Sequence, residues 1–206
     1  MKLTWLGHAC FKIESQGYTI IIDPYEDSYV PGFGPLRESA DMVLCTHGHA
    51  DHGAKELIRI KNDTPCPFRI SEISTWHDDQ RGALRGKNTI YILDDGCCRA
   101  AHLGDLGCEL EKDQLEQLKN LDAVMIPIGG FYTIDAGQAV KLIRQTEPRV
   151  VLPMHYRGKG FGYDVLGTVE DFTQLCDDVI TYEANSIEIT KDTNKQTAVL
   201  KAPLNF

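Results

Sequence analysis

The 206-residue chain contains no Cys-x-x-Cys pair, although it has seven cysteines: Cys10, Cys45, Cys66, Cys97, Cys98, Cys108 and Cys176. That absence excludes a zinc ribbon and a thioredoxin-type redox motif. The odd count argues against a disulfide framework. Cys97 and Cys98 are neighbours in a strand-like run and would face opposite ways, so one metal would not bind both. Most of the thiols read as small buried hydrophobes. No apolar run approaches the length of a membrane span. The opening Met1-Lys2-Leu3-Thr4-Trp5-Leu6-Gly7-His8 turns polar too soon for a signal peptide, so a cytoplasmic location is the expectation. Positive charge is also scarce, with 21 Lys and Arg against 30 Asp and Glu and a formal net charge of −9. Such a balance supplies no attraction for nucleic acid or anionic lipid. The chain has no internal repeat, low-complexity stretch or Pro/Ser-rich linker, so a single domain over residues 1–206 is expected.

What is present is ordinary in bulk: 42% hydrophobic and 25% charged residues, enough for one sizeable core. The first third is strand-like, with short apolar or alternating runs at Lys2 to Leu6, Cys10 to Glu14 and Tyr18 to Ile22, the last ending in Asp23-Pro24. A loop with Pro31, Gly32, Gly34 and Pro35 is long enough to form a lid or rim. The run Met42-Val43-Leu44-Cys45 follows, then a helical pattern from Ala54 to Ile60. Asn88–Leu93 and Cys97–Leu103 read as two strands joined by Asp94-Asp95-Gly96, a hairpin signal. Beyond them the pattern alternates. Glu111 to Leu121 is a helix, Ala123 to Ile128 a strand, and Asp135 to Thr146 a helix with Ala136, Ala139, Val140 and Ile143 on one face. Thr133 or Asp135 caps it. Arg149 to Met154 is a strand, Val169 to Cys176 a short helix, and Ser186–Thr190 and Thr197–Lys201 close the chain as strands. This order predicts an α/β (α+β) architecture of two packed mixed sheets with helices outside.

The most informative stretch is Thr46-His47-Gly48-His49-Ala50-Asp51-His52, placed directly after an apolar run. Extended chain repeats every two residues, so His47 and His49 point the same way, and a turn returns Asp51 and His52 beside them. Good ligands packed this densely can load two divalent ions, a standard device for hydrolysis at neutral pH. Three further segments carry metal-competent residues at strand ends: Ser74-Thr75-Trp76-His77-Asp78-Asp79, Ala101-His102-Leu103-Gly104-Asp105 and Val151-Leu152-Pro153-Met154-His155.

The ordered set of His47-x-His49-x-Asp51-His52, a lone His, Gly-Asp and a late strand-ending His resembles the metallo-β-lactamase superfamily, over Asp23 to His155. Gly7-His8-Ala9-Cys10-Phe11, Ile22-Asp23-Pro24, His102-Leu103-Gly104-Asp105-Leu106-Gly107, Ile126-Pro127-Ile128-Gly129-Gly130 and Pro153-Met154-His155-Tyr156 narrow the likeness. They resemble a compact branch of metal-dependent hydrolases related to ascorbate-6-phosphate lactonases and N-acyl-phosphatidylethanolamine phospholipases. The resemblance implies an αββα sandwich and two divalent ions, zinc first and Mn2+ or Fe2+ as alternatives. It implies that His47, His49 and His77 bind one ion, that Asp51, His52 and His155 bind the other, and that Asp105 bridges them. Asp51 is then also the catalytic group that orients the attacking water and accepts its proton. Between His77 and His102, the spacing to Asp105 in the related phospholipases favours His77. Strand periodicity agrees, since residues three apart face opposite sides and His102 would point away from Asp105.

Other positions carry expectations of their own. Asp23 supports the His loop by hydrogen bonds, as such groups fix ligand orientation. His8 is a buried imidazole or a substrate-facing one, and His102 a supporting or packing residue. Tyr132, in the loop Gly129 to Thr133, lines the pocket or packs. Arg85, with Arg81 before it, holds a substrate anion or is solvated. Tyr156 and Arg157 stand as rim candidates. The expected activity is hydrolysis of a small ester, lactone or phosphoester through a metal-bridging hydroxide, with a small molecule as the partner. The alternatives are a nucleic-acid phosphodiesterase, which the charge disfavours, and a di-iron redox protein on the same ligands. A homo-oligomer is compatible with the sequence.

Overall fold

A computed structural model describes residues 1–61 and 65–204. The first half of the chain forms β1 (Lys2–Gly7), β2 (Cys10–Ser15), β3 (Tyr18–Ile22), β4 (Ser39–Ala40), β5 (Met42–Leu44), a 3-10 turn (Lys55–Leu57), β6 (Arg59–Ile60), β7 (Arg69–Trp76), β8 (Lys87–Asp94) and β9 (Arg99–His102). The second half forms α1 (Lys112–Gln117), β10 (Ala123–Pro127), α2 (Ala136–Thr146), β11 (Val150–Met154), α3 (Val169–Thr173), β12 (Val179–Thr181), β13 (Ser186–Glu188) and β14 (Gln196–Val199).

Two mixed sheets carry the fold. One has the order β13-β1-β2-β3-β5, the other β12-β14-β11-β10-β9-β8-β7. In the first, β1, β2 and β3 form an antiparallel meander and β5 joins β3 in parallel. In the second, β7, β8 and β9 are antiparallel and the rest run parallel. Every residue of β3, β10 and β11 is buried. Burial on both faces is why these strands read as continuous apolar runs rather than alternating ones. On the far side of the larger sheet, α2 lies over β11, its Val140 and Ile143 sharing a cavity wall with Val151. Asp135 caps that helix, accepting from the Gln138 N–H while the Gln138 side chain accepts from the Asp135 N–H. Among the described residues no helix is long and apolar enough to cross a membrane. All seven cysteines are free.

Several elements differ from the sequence reading. Ala54 to Ile60 is not a helix. It makes one 3-10 turn and then β6, which pairs in parallel with β4. The Ala54 N–H is taken by the Pro24 carbonyl and the Lys61 N–H by that of Ala40. Tertiary pairing and two β-branched isoleucines thus outweigh a weak helical periodicity. The expected helices Glu111 to Leu121 and Val169 to Cys176 shorten to α1 and α3. β7 is an edge strand whose polar residues fall on both faces, Arg69 and Ser71 on one and Glu72 and Ser74 on the other, so it lacks a clean alternation. The exposed β12 is the strand at the other edge of that sheet and is only three residues long, too short for a period-two pattern. The two closing strands separate, β13 pairing with β1 and β14 with β11.

Candidate metal centre

The site forms where strands of both sheets end at one edge. β1 delivers His8, β3 delivers Asp23, β5 leads into His47 to His52, β7 delivers His77, β9 leads to Asp105, and β11 delivers His155. Three of these residues leave their strands in the left-handed region: His8 (φ 51), Asp23 (φ 54) and His155 (φ 54). Such backbone is uncommon for non-glycine residues and clusters at functional sites. Glycine is required beside His8 and beside Asp105. At Gly7 (φ 118) a Cβ would sit 2.6 Å from the Phe33 ring, and at Gly104 (φ 55) one would sit 2.3 Å from Asn88 Oδ1.

Three groups of donor atoms converge, each within 4.8 Å: His47, His49 and His77; His47, His52 and Asp105; and His8, Asp51, His52 and His155. Asp105 is central. Its Oδ2 lies 3.2 Å from Nε2 of His52, of His77 and of His155, and 3.9 Å from Nε2 of His47. Asn88 Oδ1 accepts from the Asp105 N–H and holds its loop.

Buried Asp23 sets the tautomers. Its carboxylate accepts from the Thr46 N–H and hydroxyl, each at 2.7 Å, and from His52 Nδ1 at 2.9 Å. That leaves His52 Nε2 toward Asp105. Because the Thr46 hydroxyl gives its one hydrogen to Asp23, its oxygen must accept from His47 Nδ1 at 3.0 Å, so His47 Nε2 presents a lone pair. Burial pushes His47 down to about 3 and His8 down to about 4, so both imidazoles are neutral, the form that binds metal. Burial opposes charge on His52 as well, but the flanking Asp105 and Asp23 carboxylates outweigh it and raise His52 well above the usual histidine range.

The fit to a metal rests on atoms left without partners. Both ring nitrogens of His8 and His155, Nε2 of His47 and His52, Nδ1 of His77 and Oδ1 of Asp105 are buried and have no hydrogen-bond partner. Each such atom costs about 1–3 kcal/mol unless something takes it up. Imidazoles and carboxylates around a shared aspartate are a donor set for divalent ions.

His102 is occupied elsewhere. Its Nε2 donates to the Ala9 carbonyl at 2.7 Å and its Nδ1 accepts from the Gly104 N–H at 3.1 Å. Both nitrogens are used, so the ring clips the turn after His8 to the loop before Asp105. His77→Ala should lose metal and hydrolysis together. His102→Ala should keep the parent's metal content and lose about 2–4 kcal/mol of stability, from a cavity and two unpaired backbone groups. Metal analysis and denaturant titration of both variants check this, and metal loss in the His102 variant would reverse the two roles.

An open pocket of about 530 Å³ leads to the centre, lined by Tyr29, His49, Asp51, His77, Arg85, Asp105, Tyr132 and Tyr163 among others. Arg85 and Tyr132 meet there, with the guanidinium 5.4 Å from the ring centre. Asp78 shapes the loop that carries Arg85, accepting from the backbone N–H groups of Gln80, Gly82, Leu84 and Arg85. Tyr156 is not on the rim. It is buried and stacks on Trp5 at 5.3 Å, inside an aromatic cluster with Phe161. Only pairing of the two sheets reveals that packing. Arg157 donates to the Leu166 carbonyl and does not line the pocket, nor does Arg81. Sequence reasoning missed Tyr29, Tyr163, Asp78 and Asn88. The glycines around Phe161 and Tyr163 were the available signal for a second rim loop. That loop ties to the first through the Gly162 N–H and the Pro31 carbonyl.

Comparison with known proteins agrees with this geometry. The family model of the beta-lactamase superfamily domain matches residues 2–155. A UPF0173 metal-dependent hydrolase of Archaeoglobus fulgidus is 30% identical over 194 residues, covering 76% of this chain and 83% of its own. A Thermotoga maritima structure, described as a Zn-dependent hydrolase of the metallo-β-lactamase superfamily, superposes with a TM-score of 0.77 at 30% identity, covering 98% of each chain. A metallo hydrolase of Ignicoccus hospitalis has a TM-score of 0.63 at 20% identity, covering 99% of this chain and 96% of its own, and speaks to the fold alone. With its donor residues converging at one edge of a two-sheet sandwich, the chain belongs to the metallo-β-lactamase superfamily and, within it, to the UPF0173 metal-dependent hydrolases.

Proposed function

We propose that the protein uses two divalent ions, zinc first and Mn2+ or Fe2+ as alternatives, to hydrolyse a small ester, lactone or phosphoester. The observation that carries this reading is the position of Asp105, whose Oδ2 is 3.2 Å from histidines of both donor groups, His77 on one side and His52 and His155 on the other. A carboxylate so placed suits a shared ligand. His47, His49 and His77 would hold one ion, and Asp51, His52 and His155 the other. When bound, such a pair lowers the pKa of water and polarises the target oxygen.

The chain's own groups supply the rest. Asp51 faces the pocket. Burial works against its charge, but His8 and His52 beside it hold the carboxyl well below its ordinary range. It is therefore an ionised acceptor for the proton of the attacking water. Asp23 and Thr46 keep the histidine tautomers correct. Arg85, steadied by Tyr132, offers donors to an anionic group of the substrate. The net charge of −9 disfavours a polyanion such as nucleic acid. Seven free thiols suit a reducing compartment, the cytoplasm.

Elemental analysis of protein purified without chelator should find about two divalent ions per chain. The same preparation should hydrolyse members of a panel of lactones, carboxylic esters, phosphomonoesters and phosphodiesters, lose that activity to a chelator and regain it on adding metal back. Protein that neither retains nor takes up metal would overturn the reading.

A further inference from the structure

We propose that His8 is a ligand of the metal held by Asp51, His52 and His155. It fills one more position there than is filled at the His47, His49 and His77 site, so substrate meets the ion of the latter. The inference rests on the two-metal reading above.

His8 has no side-chain exposure, and neither ring nitrogen has a hydrogen-bond partner. Its ring centre lies 4.0 Å from that of His155 and 5.5 Å from that of His52. Its donor atom falls within 4.8 Å of those of Asp51, His52 and His155. The distance from His8 Nε2 to Asp51 Oδ2 is 3.4 Å. A charge-assisted hydrogen bond would be shorter, about 2.7–2.9 Å. Two ligands sharing one tetrahedral ion, with bonds of about 2.0–2.2 Å, stand about 3.3–3.5 Å apart. The separation matches an edge of a coordination polyhedron better than a hydrogen bond.

The backbone is built to aim this ring. Gly7 breaks β1 at φ 118, and His8 then takes φ 51. The His8 carbonyl is pinned by Trp5 Nε1 at 2.9 Å and by the His155 N–H at 3.2 Å. A left-handed non-glycine residue costs about 1–3 kcal/mol and persists where its surroundings over-determine it.

Ligand count separates the roles of the two sites. Counting the shared Asp105, the second site has five side-chain ligands with His8, three of them imidazoles of essentially no exposure, against four at the first. Each added protein ligand takes a position that water or substrate would otherwise fill. The first site has three imidazoles, and His49 is exposed on the pocket wall. Substrate therefore meets the ion of the first site, and the second ion anchors Asp51.

Zinc content and chelator competition on His8→Ala and His8→Gln test this. Each variant should hold about one ion where the parent holds two, the remaining one bound as tightly as in the parent. Glutamine keeps an N–H that can steady Asp51 but supplies no imidazole nitrogen, so a positioning role alone would be rescued by it. Two tightly bound ions in His8→Gln would overturn the proposal and leave the two-metal reading standing. A parent that binds only one ion overturns both. Should the variants fail to fold, a crystal structure of the zinc-loaded parent decides. His8 Nε2 should lie about 2.0–2.1 Å from an ion, and a ring beyond bonding distance of both ions would refute it.

Discussion

Asp51→Asn should fold, keep the metal of the His47, His49 and His77 site, and lose about 10²–10⁴-fold in kcat, as for loss of a general base. The substitution preserves size and one oxygen but removes the charge and the proton acceptor. Asp51 is the only carboxylate inside the sequence from His47 to His52, and it lines the pocket. Its carboxyl is held below the ordinary range by His8 and His52 against burial. The measurement is kcat on the best substrate of the panel, with metal content determined on the same sample. Turnover near that of the parent in a fully metallated variant would leave Asp51 a ligand only and send the proton elsewhere.

Metal removal should cost about 4 kcal/mol of stability for each ion lost, relative to protein with free metal at a thousand times its dissociation constant. In a chain of this size each kcal/mol moves Tm by about 2–4 °C, so a chelator should lower it by about 8–16 °C for each ion removed. The cause is the set of buried donor atoms that nothing else satisfies. The metal-free protein should also have a characteristic pH dependence. His52 is raised well above 6.5 when folded, so its contribution is full below 6.5 and is lost as pH rises through the folded value. His8 and His47 are lowered to about 4 and about 3, so the unfolded chain takes up their protons first and stability falls as pH drops from 6.5 toward those values. Opposite slopes on the two sides place the stability maximum of these three groups near pH 6.5. Thermal unfolding with and without chelator across pH checks both statements. A Tm indifferent to chelator would mean that the cluster carries no stabilising ion.

Much of this protein is legible in one dimension. Each metal-competent residue closes or follows an apolar run, and parallel strands in two packed sheets bring such ends to one edge. The His47 to His52 segment needs no long-range information, because a turn of six residues gathers its own donors. Period-two alternation places His102 opposite Asp105, and the ring is indeed turned to Ala9 and Gly104. The capped α2 is local too, since its box lies within Asp135 to Gln138.

Other features exist only once the sheets pair. Ala54 to Ile60 reads as a helix until β4 offers it a strand partner. Tyr156 follows His155 in sequence, yet its side chain turns into the Trp5 and Phe161 cluster, because the residue after left-handed His155 leaves the pocket. His8 was one imidazole among several until Gly7 and the His155 N–H swung it against Asp51. Asp78 and Asn88 hold loops through backbone N–H groups that no side-chain pattern encodes. Composition and spacing thus determined the class of chemistry and most of its donors, since those follow from residue type and short-range periodicity. Which donor atoms come within reach of one another, and which neighbours only pack, was decided by the three-dimensional meeting of strand ends, because a contact depends on distances that sequence separation does not specify.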